Sequence, residues 1–400
     1  MLIPTGLSLA AVLVEAMVTM LTLAGMFYLL LALWGARDFL RTWRGRERET
    51  VETAAGVTLL KPVKGIDPRM YAGFASHCRQ EYAGGFEIIF GVSSLDDPAV
   101  AEVERLRTEF PEVAIRLVEC RERLGSSGKV SNLAQMLPEA RYEHVIINDS
   151  DIFVSPRYLE QVMRGFRGGD VGLVTAPYLG YTGGRVGANG ANPTIWAKLE
   201  ALGISTDFMP GVLTARRLEG GIRFGLGSTL ATTKTVLAEI GGLASLADYL
   251  ADDYELGHRI SQAGYRVELC PEVVETTVPA YGFMGFWHHQ LRWARSTRDS
   301  RRWGYVGLGI TYALPWAVLT VVTSGFALWS FTLLSLVLLA RVSVALAVGV
   351  GVLRDGQVLR DLWLLPVRDC FGLLFWIWSF AGDTVVWRGE VFRLKDGRIS

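Results

Sequence analysis

The chain has only four cysteines, Cys78, Cys120, Cys270 and Cys370, and no two of them stand close together. That spacing offers neither a zinc knuckle nor a disulfide framework, so the thiols read as ordinary reduced or buried residues. Net charge is missing too. Forty basic and forty acidic residues cancel, which excludes nucleic acid as a partner held by a global basic field and leaves any basic function local. The N-terminus lacks the early basic region, short apolar core and small-residue cleavage site of a signal peptide. The loop Gly125-Ser-Ser-Gly-Lys129-Val-Ser-Asn132 has glycines and a lysine suited to phosphate, but not the spacing of a P-loop.

Apolar residues, by contrast, make up 50% of the chain, more than one soluble core needs, and this implies a membrane component. Residues Leu7 to Trp34 carry Glu15 as their only charge and are long enough to cross about 30 Å of hydrocarbon. They are expected to form an anchor within residues 1–36. Arg37, Arg41, Arg44, Arg46 and Arg48 follow in a basic juxtamembrane linker, 37–56. The positive-inside rule then places the downstream body in the cytoplasm, at the inner membrane if the source is bacterial. The same arginines suit anionic head groups, or serve as a topology signal alone.

From Val57 to about residue 303, short apolar strands alternate with amphipathic helices. This is the pattern of an α/β body with a mostly parallel sheet and helices on both faces. Strands are expected at Val57–Leu60, Phe86–Val92 and Ala114–Val118, with a helix at Ala99–Phe110. Pro62 should stop the first ladder. The apolar run from His144 leads straight into Asp149-Ser150-Asp151. Ligands bind beyond the carboxyl ends of such strands, and an Asp-x-Asp pair there suits a hard divalent cation; a turn or helix cap is the alternative use of the same acids.

Successive strand ends thus present Lys61 and Lys64, then Asp96 and Asp97, then Asp149 and Asp151, and right-handed crossovers bring these ends to one rim. A nucleotide needs such a rim: carboxylates accept from a base or ribose, lysines meet phosphates, and an acid pair holds a bridging metal. Gly225-Leu-Gly227-Ser-Thr229 is expected to precede a helix. Asp252 fits a helix cap, and Asp253 fits either a general base or a structural acid. In His288-His289-Gln290-Leu291-Arg292-Trp293, Arg292 suits a diphosphate leaving group, unless this aromatic helix is an interfacial anchor.

Together the stretches Lys61-Pro-Val-Lys64-Gly-Ile-Asp67-Pro, Asp96-Asp97-Pro, Lys129-Val-Ser-Asn132-Leu, Asp149-Ser-Asp151, Asp252-Asp253-Tyr and Arg292-Trp293 resemble the ceramide glucosyltransferase family (glycosyltransferase family 21, related to family 2). They look closer still to its hopanoid-associated bacterial branch. The resemblance covers about Val57 to Tyr305. It implies a GT-A fold, a UDP-sugar donor, a divalent metal (Mg2+ or Mn2+), a membrane lipid acceptor (ceramide or a hopanoid) and inversion by single displacement. Carried over residue by residue, it implies that Asp96 contacts the nucleoside, with Asp97, Lys61, Lys64, Lys129 and Asn132 around the donor. Asp149 and Asp151 would handle metal and diphosphate, Asp253 would be the base, and Arg292 and Trp293 would complete the terminal signature. The chain departs from the family where the motif Gln-x-x-Arg-Trp or Arg-x-x-Arg-Trp begins, because His289 stands there and Gln290 is displaced by one.

Acceptor recognition is expected between the acid motifs, where Trp196 to Phe208 has helical apolar spacing and Phe208 to Leu213 with Arg216-Arg217 suits a surface at head-group level. Residues 304–388 return to the membrane: two spans fit Gly304–Ala340 and Val342–Leu353, divided near Ser324-Gly325. Leu362–Trp387, interrupted by Arg368, Asp369 and Asp383, fits a span, a re-entrant hairpin or an interfacial segment. A third span puts the polar tail, 389–400, outside, whereas Arg388, Arg393, Lys395 and Arg398 favour inside. A lipid glycosyltransferase, a processive polysaccharide synthase and a non-catalytic nucleotide or lipid sensor all share such a layout. The ordered acids and membrane flanks favour the first.

Overall fold

The computed structural model describes residues 9–46, 55–183, 192–387 and 390–400. The expected N-terminal anchor is one helix, α1 (Leu9–Arg46), which carries on through the first half of the stretch expected as a linker. Arg48 and Arg388 lie outside the described residues.

The body alternates as its apolar pattern requires: β1 (Val57–Pro62), α2 (Met70–Cys78), β2 (Phe86–Val92), α3 (Ala99–Glu109), β3 (Ala114–Glu119), α4 (Gly128–Met136), β4 (His144–Ile147), α5 (Tyr158–Arg164) and β5 (Val171–Thr175). Then come β6 (Tyr178–Tyr181), α6 (Ile195–Gly203), α7 (Met209–Leu218), β7 (Leu230–Thr233), α8 (Lys234–Glu239), α9 (Asp252–Gln262), β8 (Arg266–Leu269), β9 (Val274–Thr277) and α10 (Phe283–Ser300). Seven strands form one sheet in the order β3-β2-β1-β4-β7-β5-β8. All run parallel to their neighbours except β7, which is antiparallel to β4 and β5. The short strands β6 and β9 pair separately, in parallel.

Every residue of β1 and β5 is buried, as expected when helices cover both faces of a parallel sheet. Fully burying a Leu or Ile side chain is worth roughly 1.5–3 kcal/mol. Leu59, Leu60, Ile88, Ile89, Ile146 and Ile147 are all buried, so the strand ends β1, β2 and β4 form a stiff rim for the polar residues that follow them.

Two local expectations need correction. β1 continues to Pro62, paired with Gly91 of β2. The proline is tolerated because β4 ends opposite Leu60, so its missing N–H faces a side where no ladder partner remains. Gly225–Thr229 leads into the antiparallel strand β7 rather than a helix, because Leu230-Ala231 pairs with Ile146 and Ile147 of β4.

After α10 come α11 (Arg302–Thr311), α12 (Ala313–Thr323), α13 (Leu328–Val344), α14 (Gly356–Asp361) and α15 (Leu365–Ser379), then β10 (Thr384–Trp387), β11 (Glu390–Lys395) and β12 (Arg398–Ile399). Among the described residues, Leu9–Trp43, Leu328–Val352 and Gly356–Ser379 are long and apolar enough to cross a bilayer. The pair α11–α12, bent by 54°, makes a fourth if it is one span. α12 ends at the Ser324-Gly325 division expected from the sequence. α1 packs along α12 and α13. Gly25 lets it come close: a Cβ there would lie 2.8 Å from Ala313 Cα. Thr22 and Thr320 hydroxyls bond across the same contact at 2.9 Å.

The C-terminal strands settle where the tail lies relative to the body. Leu250 N donates to Gly397 O at 3.0 Å and Ile399 N to Asp248 O at 2.8 Å, and Leu250, Val385, Leu394 and Ile399 bury one another. The tail therefore docks on the α/β body.

Candidate active site

A cavity of about 1760 Å³ opens along the sheet rim and runs to the membrane helices. Its rim wall includes Lys64, Asp96, Asp97, Lys129, Asn132, Asp149, Asp151, Asp252, Asp253, Arg292 and Trp293. Of the candidate residues, the fold gathers all but Lys61.

Asp149 and Asp151 follow β4 directly, and the strand end is fixed from behind. Asn148, fully buried, donates through Nδ2 to Ser228 O at 2.7 Å and to the Tyr158 hydroxyl at 2.9 Å. Asp151 Oδ2 accepts from the Thr276 hydroxyl at 2.6 Å and from Thr277 N at 3.2 Å, so β9 orients this carboxylate. α4 begins with a cap, Ser127 accepting from Val130 N. This aims Lys129 at the rim, where its Nζ lies 2.8 Å from Asp149 Oδ1 and 3.2 Å from Asp252 Oδ2. Asp252 and Asp253 occupy the first turn of α9, where the helix dipole favours carboxylates.

Asp149, Asp252 and Asp253 thus converge on Lys129 while Asp151 lies in the field of the buried Lys61, and the excess of acids over lysines appears in their protonation. Burial, then the neighbouring Asp149, pushes the Asp151 carboxyl up to about 6. Burial, then Asp252, pushes Asp253 up to about 6, with Lys129 opposing. Burial disfavours charge on Lys129, but Asp149 and Asp252 outweigh it and hold the ammonium charged.

Three assignments change in detail. Lys61 is fully buried beneath the rim, its Nζ 3.2 Å from Asp149 O and 3.4 Å from His77 Nε2. Burial pulls its pKa down to about 7; it supports the Asp149 backbone and does not line the cavity. Both faces of β1 are covered, and Lys61 is enclosed against His77 and Phe74 of α2, which the charge of the residue conceals. Asp97 is engaged in structure: Oδ1 accepts from Gly65 N and from Ala99 N, each at 2.9 Å, tying the β1 loop to the start of α3. Asp96 beside it is exposed. Asn132 is buried, accepting from the Ser93 hydroxyl at 3.1 Å and donating to Gly91 O, and so braces the end of β2.

On α10, His289 Nδ1 lies 2.8 Å from Glu200 Oε2, which also accepts from Gln290 Nε2 at 3.2 Å and from the Tyr281 hydroxyl. The His289 ring packs 4.7 Å from that of Trp293. The residues departing from the family motif are therefore both spent on Glu200, a buried carboxylate whose lone charge in the apolar face of α6 was its only sequence signal. Gly227 was also missed. A Cβ there would stand 3.0 Å from Asp253 Oδ2 and 3.6 Å from Asp149 Oδ2, so glycine keeps the space between these two carboxylates open.

Arg216 and Arg217, expected at head-group level, hold the end of the N-terminal apolar helix. They pair with Asp38 of α1 at 2.9 and 3.6 Å, and Arg217 lies 3.8 Å over the Trp34 ring.

The donor set fits a hard divalent cation. Among the described residues no three His, Cys, Asp or Glu side chains form a metal cage, but the crowded carboxylates of Asp149 and Asp151 could offer oxygens to a hard cation that takes its other ligands from elsewhere.

The model of glycosyl transferase family 21 matches residues 17–400. Ceramide glucosyltransferase 3 of Caenorhabditis elegans is 25% identical over 241 residues, 60% of this chain and 50% of its own length. A ceramide glucosyltransferase of Komagataella phaffii is 34% identical over 131 residues, 32% of this chain and 26% of its own. The chain spans about half the length of the Caenorhabditis elegans relatives it matches. Among solved structures, a mannosyltransferase of Pyrobaculum calidifontis in complex with GDP-Man and Mn2+ superposes with a TM-score of 0.47 at 19% identity, covering 90% of this chain and 98% of that one. The chain belongs to glycosyl transferase family 21.

Proposed function

We propose that this protein is a membrane-bound, inverting glycosyltransferase that moves glucose from UDP-glucose to the hydroxyl of ceramide. The observation that carries this reading is the continuous cavity, lined by the rim acids at one end and by residues of α11, α13 and α15 at the other. A nucleotide-sugar and a lipid alcohol need such ends. The ceramide glucosyltransferases among its relatives support the choice of donor and acceptor.

Asp96, exposed at the end of β2, accepts from the nucleoside, and Lys64 and Lys129 balance phosphate charge. Asp149 and Asp151 would hold the divalent cation, whose chemistry there is to neutralise the diphosphate. The acceptor oxygen attacks the anomeric carbon from the face opposite the phosphate, the carbon–oxygen bond to UDP breaks with its electron pair leaving on the diphosphate, and configuration inverts. Asp253 takes the proton of the attacking hydroxyl. With its carboxyl pushed up to about 6, it is ionised at neutral pH and a stronger base than a solvated carboxylate. Arg292 presents its fork to the departing diphosphate, and Trp293 walls the acceptor side. Arg37 and Arg41 follow the first span, which favours a cytoplasmic body. The docked tail agrees with an even number of crossings after α10, so α14–α15 lies along or re-enters the same face.

The purified full chain in detergent, given Mn2+, labelled UDP-glucose and ceramide, should yield one discrete glycolipid on thin-layer analysis. A polymer would favour a processive synthase. Retained UDP binding without product would favour a sensor, and product only from UDP-N-acetylglucosamine and a bacteriohopanepolyol would move the protein to the hopanoid branch.

A further inference from the structure

We propose that the membrane end of the cavity is a binding site for an uncharged, hydrogen-bonding lipid head, built around Asp207 and Arg368 with Arg341 and Asp369 behind them. This rests on the lipid-acceptor reading and adds where the head is held and which chemistry it must have.

Asp207 lies in a π-helical turn, Ile204–Phe208, between α6 and α7, packed against a second π-helical stretch, Ala345–Val352, after α13. Such turns re-aim side chains out of the regular helical ladder. Arg341 of α13 is fully engaged: Nε donates to Asp369 Oδ2 at 2.9 Å, Nη2 to Asp369 Oδ1 at 2.7 Å and Nη1 to Thr206 O at 3.0 Å, and Nη2 also reaches Asp207 Oδ1. Arg368 of α15 is not. Its Nε lies 2.9 Å from Asp207 Oδ2, but the contact is poorly directed, and Arg368 Nη1 is buried with no hydrogen-bond acceptor among the described residues. Asp207 Oδ2 likewise accepts no well-directed hydrogen bond there.

All four side chains line the cavity. An unsatisfied buried donor beside an unsatisfied buried acceptor is costly unless a ligand completes them, and charged groups at membrane depth mark substrate pathways. Two arginines face two aspartates, so the cluster is formally neutral. A phosphate would meet both carboxylates. An amide satisfies both needs without disturbing the pairs, its carbonyl oxygen accepting from Arg368 Nη1 and its N–H donating to Asp207 Oδ2; adjacent hydroxyls do the same. The site also connects to the chemistry. The ring of Phe208, next to Asp207, packs 5.5 Å from that of Tyr178, whose phenol lies in the field of Asp253. A head gripped by Asp207 therefore has its reacting hydroxyl on the side of the base.

The test uses the full chain in micelles with ceramide, diacylglycerol or phosphatidylglycerol as acceptor. Arg368→Lys keeps the charge opposite Asp207 but removes the fork. Its KM for ceramide should rise about tenfold, the loss of one charge-assisted hydrogen bond, with the KM for UDP-glucose unmoved. The KM for diacylglycerol, which has no N–H, should change less. If Arg368→Lys does not fold, Asp207→Asn carries the same test. An unchanged ceramide KM in a folded variant, a parallel rise in donor KM, or a wild-type preference for phosphatidylglycerol overturns the inference while leaving lipid transfer standing. Absence of wild-type transfer to any lipid removes the proposed function as well.

Discussion

The two ends of the cavity treat charge in opposite ways. At the sheet rim, four acids, Asp149, Asp151, Asp252 and Asp253, outnumber the two lysines beside them, Lys129 and the buried Lys61. At the membrane end, Arg341 and Arg368 match Asp207 and Asp369 one for one. The rim is the polar end of the cavity, where a surplus of negative charge can persist and where the proposed cation and diphosphate would offset it. Inside hydrocarbon no solvent offsets a surplus, and every charge must carry its partner with it. On the proposed function the rim would be completed by its substrate, whereas at the membrane end the charges are already paired and only Arg368 Nη1 and Asp207 Oδ2 are left for a lipid to complete.

The largest expected effect breaks the rim. Asp253→Asn should lower kcat by about 10²–10⁴-fold, the usual contribution of a positioned base, with UDP-glucose binding retained. Asp149→Ala, or chelation of divalent cations, should also lower turnover by roughly 10²-fold or more while the thermal midpoint stays near wild type. Undiminished transfer by Asp149→Ala would sink the donor-site reading. At the membrane end the ranking of stability and activity reverses. Arg341→Leu leaves Asp369 buried without its partner and should cost about 3–5 kcal/mol of stability, read as a lowered unfolding midpoint in detergent.

Lys129→Met sharpens the contrast at the rim. Lys129 lowers the Asp253 carboxyl against burial and Asp252, which raise it to about 6. In the proposed mechanism Asp253 acts only when ionised, so wild-type kcat should fall as pH drops through about 6. Without Lys129 the carboxyl rises further, and the acid limb of the kcat profile should move to higher pH. An unmoved limb would separate Asp253 from the lysine. Stability runs the other way for Asp151. Its folded carboxyl, raised from 3.8 to about 6, binds protons that the unfolded chain has released. Stability should therefore fall as pH rises across that window, and Asp151→Asn should flatten the fall.

These differences also decide what could be read from the chain. Acids that follow an apolar strand or open a helix stand out, and their order along the sequence points to a shared rim, so the placing of Asp96, Asp149 and Asp253 there was legible. Facing was not. Lys61 and Asp97 have the right chemistry for a donor site, yet α2 covers the face of β1 that carries one and an Asx-type turn at the start of α3 consumes the other. The membrane cluster was invisible for a different reason: Asp207, Arg341 and the pair Arg368-Asp369 sit apart in apolar runs, where each reads as an interruption, and only the packing of the π-helical turn before α7 with α13 and α15 makes them one group. Topology rules left the tail divided between two sides because they count charges, whereas its position is set by backbone pairing with Asp248 and Leu250.

That pairing supplies the smallest expected effect. The strand pair β11–β12 braces Leu250, three residues before Asp253, through the Leu250–Gly397 and Ile399–Asp248 bonds. Ile399 is buried in a satellite cluster of four residues, so Ile399→Ala should cost about 2 kcal/mol at most, the low end for such a truncation, and confine it to the hairpin. Hydrogen exchange at the Leu250 and Ile399 amides should quicken, and kcat should fall less than about tenfold, because α9 keeps its own packing through buried Leu256 and Ile260. Faster exchange with kcat unchanged would make the hairpin a passenger. A loss as large as that of Asp253→Asn would instead make the tail part of the base's support.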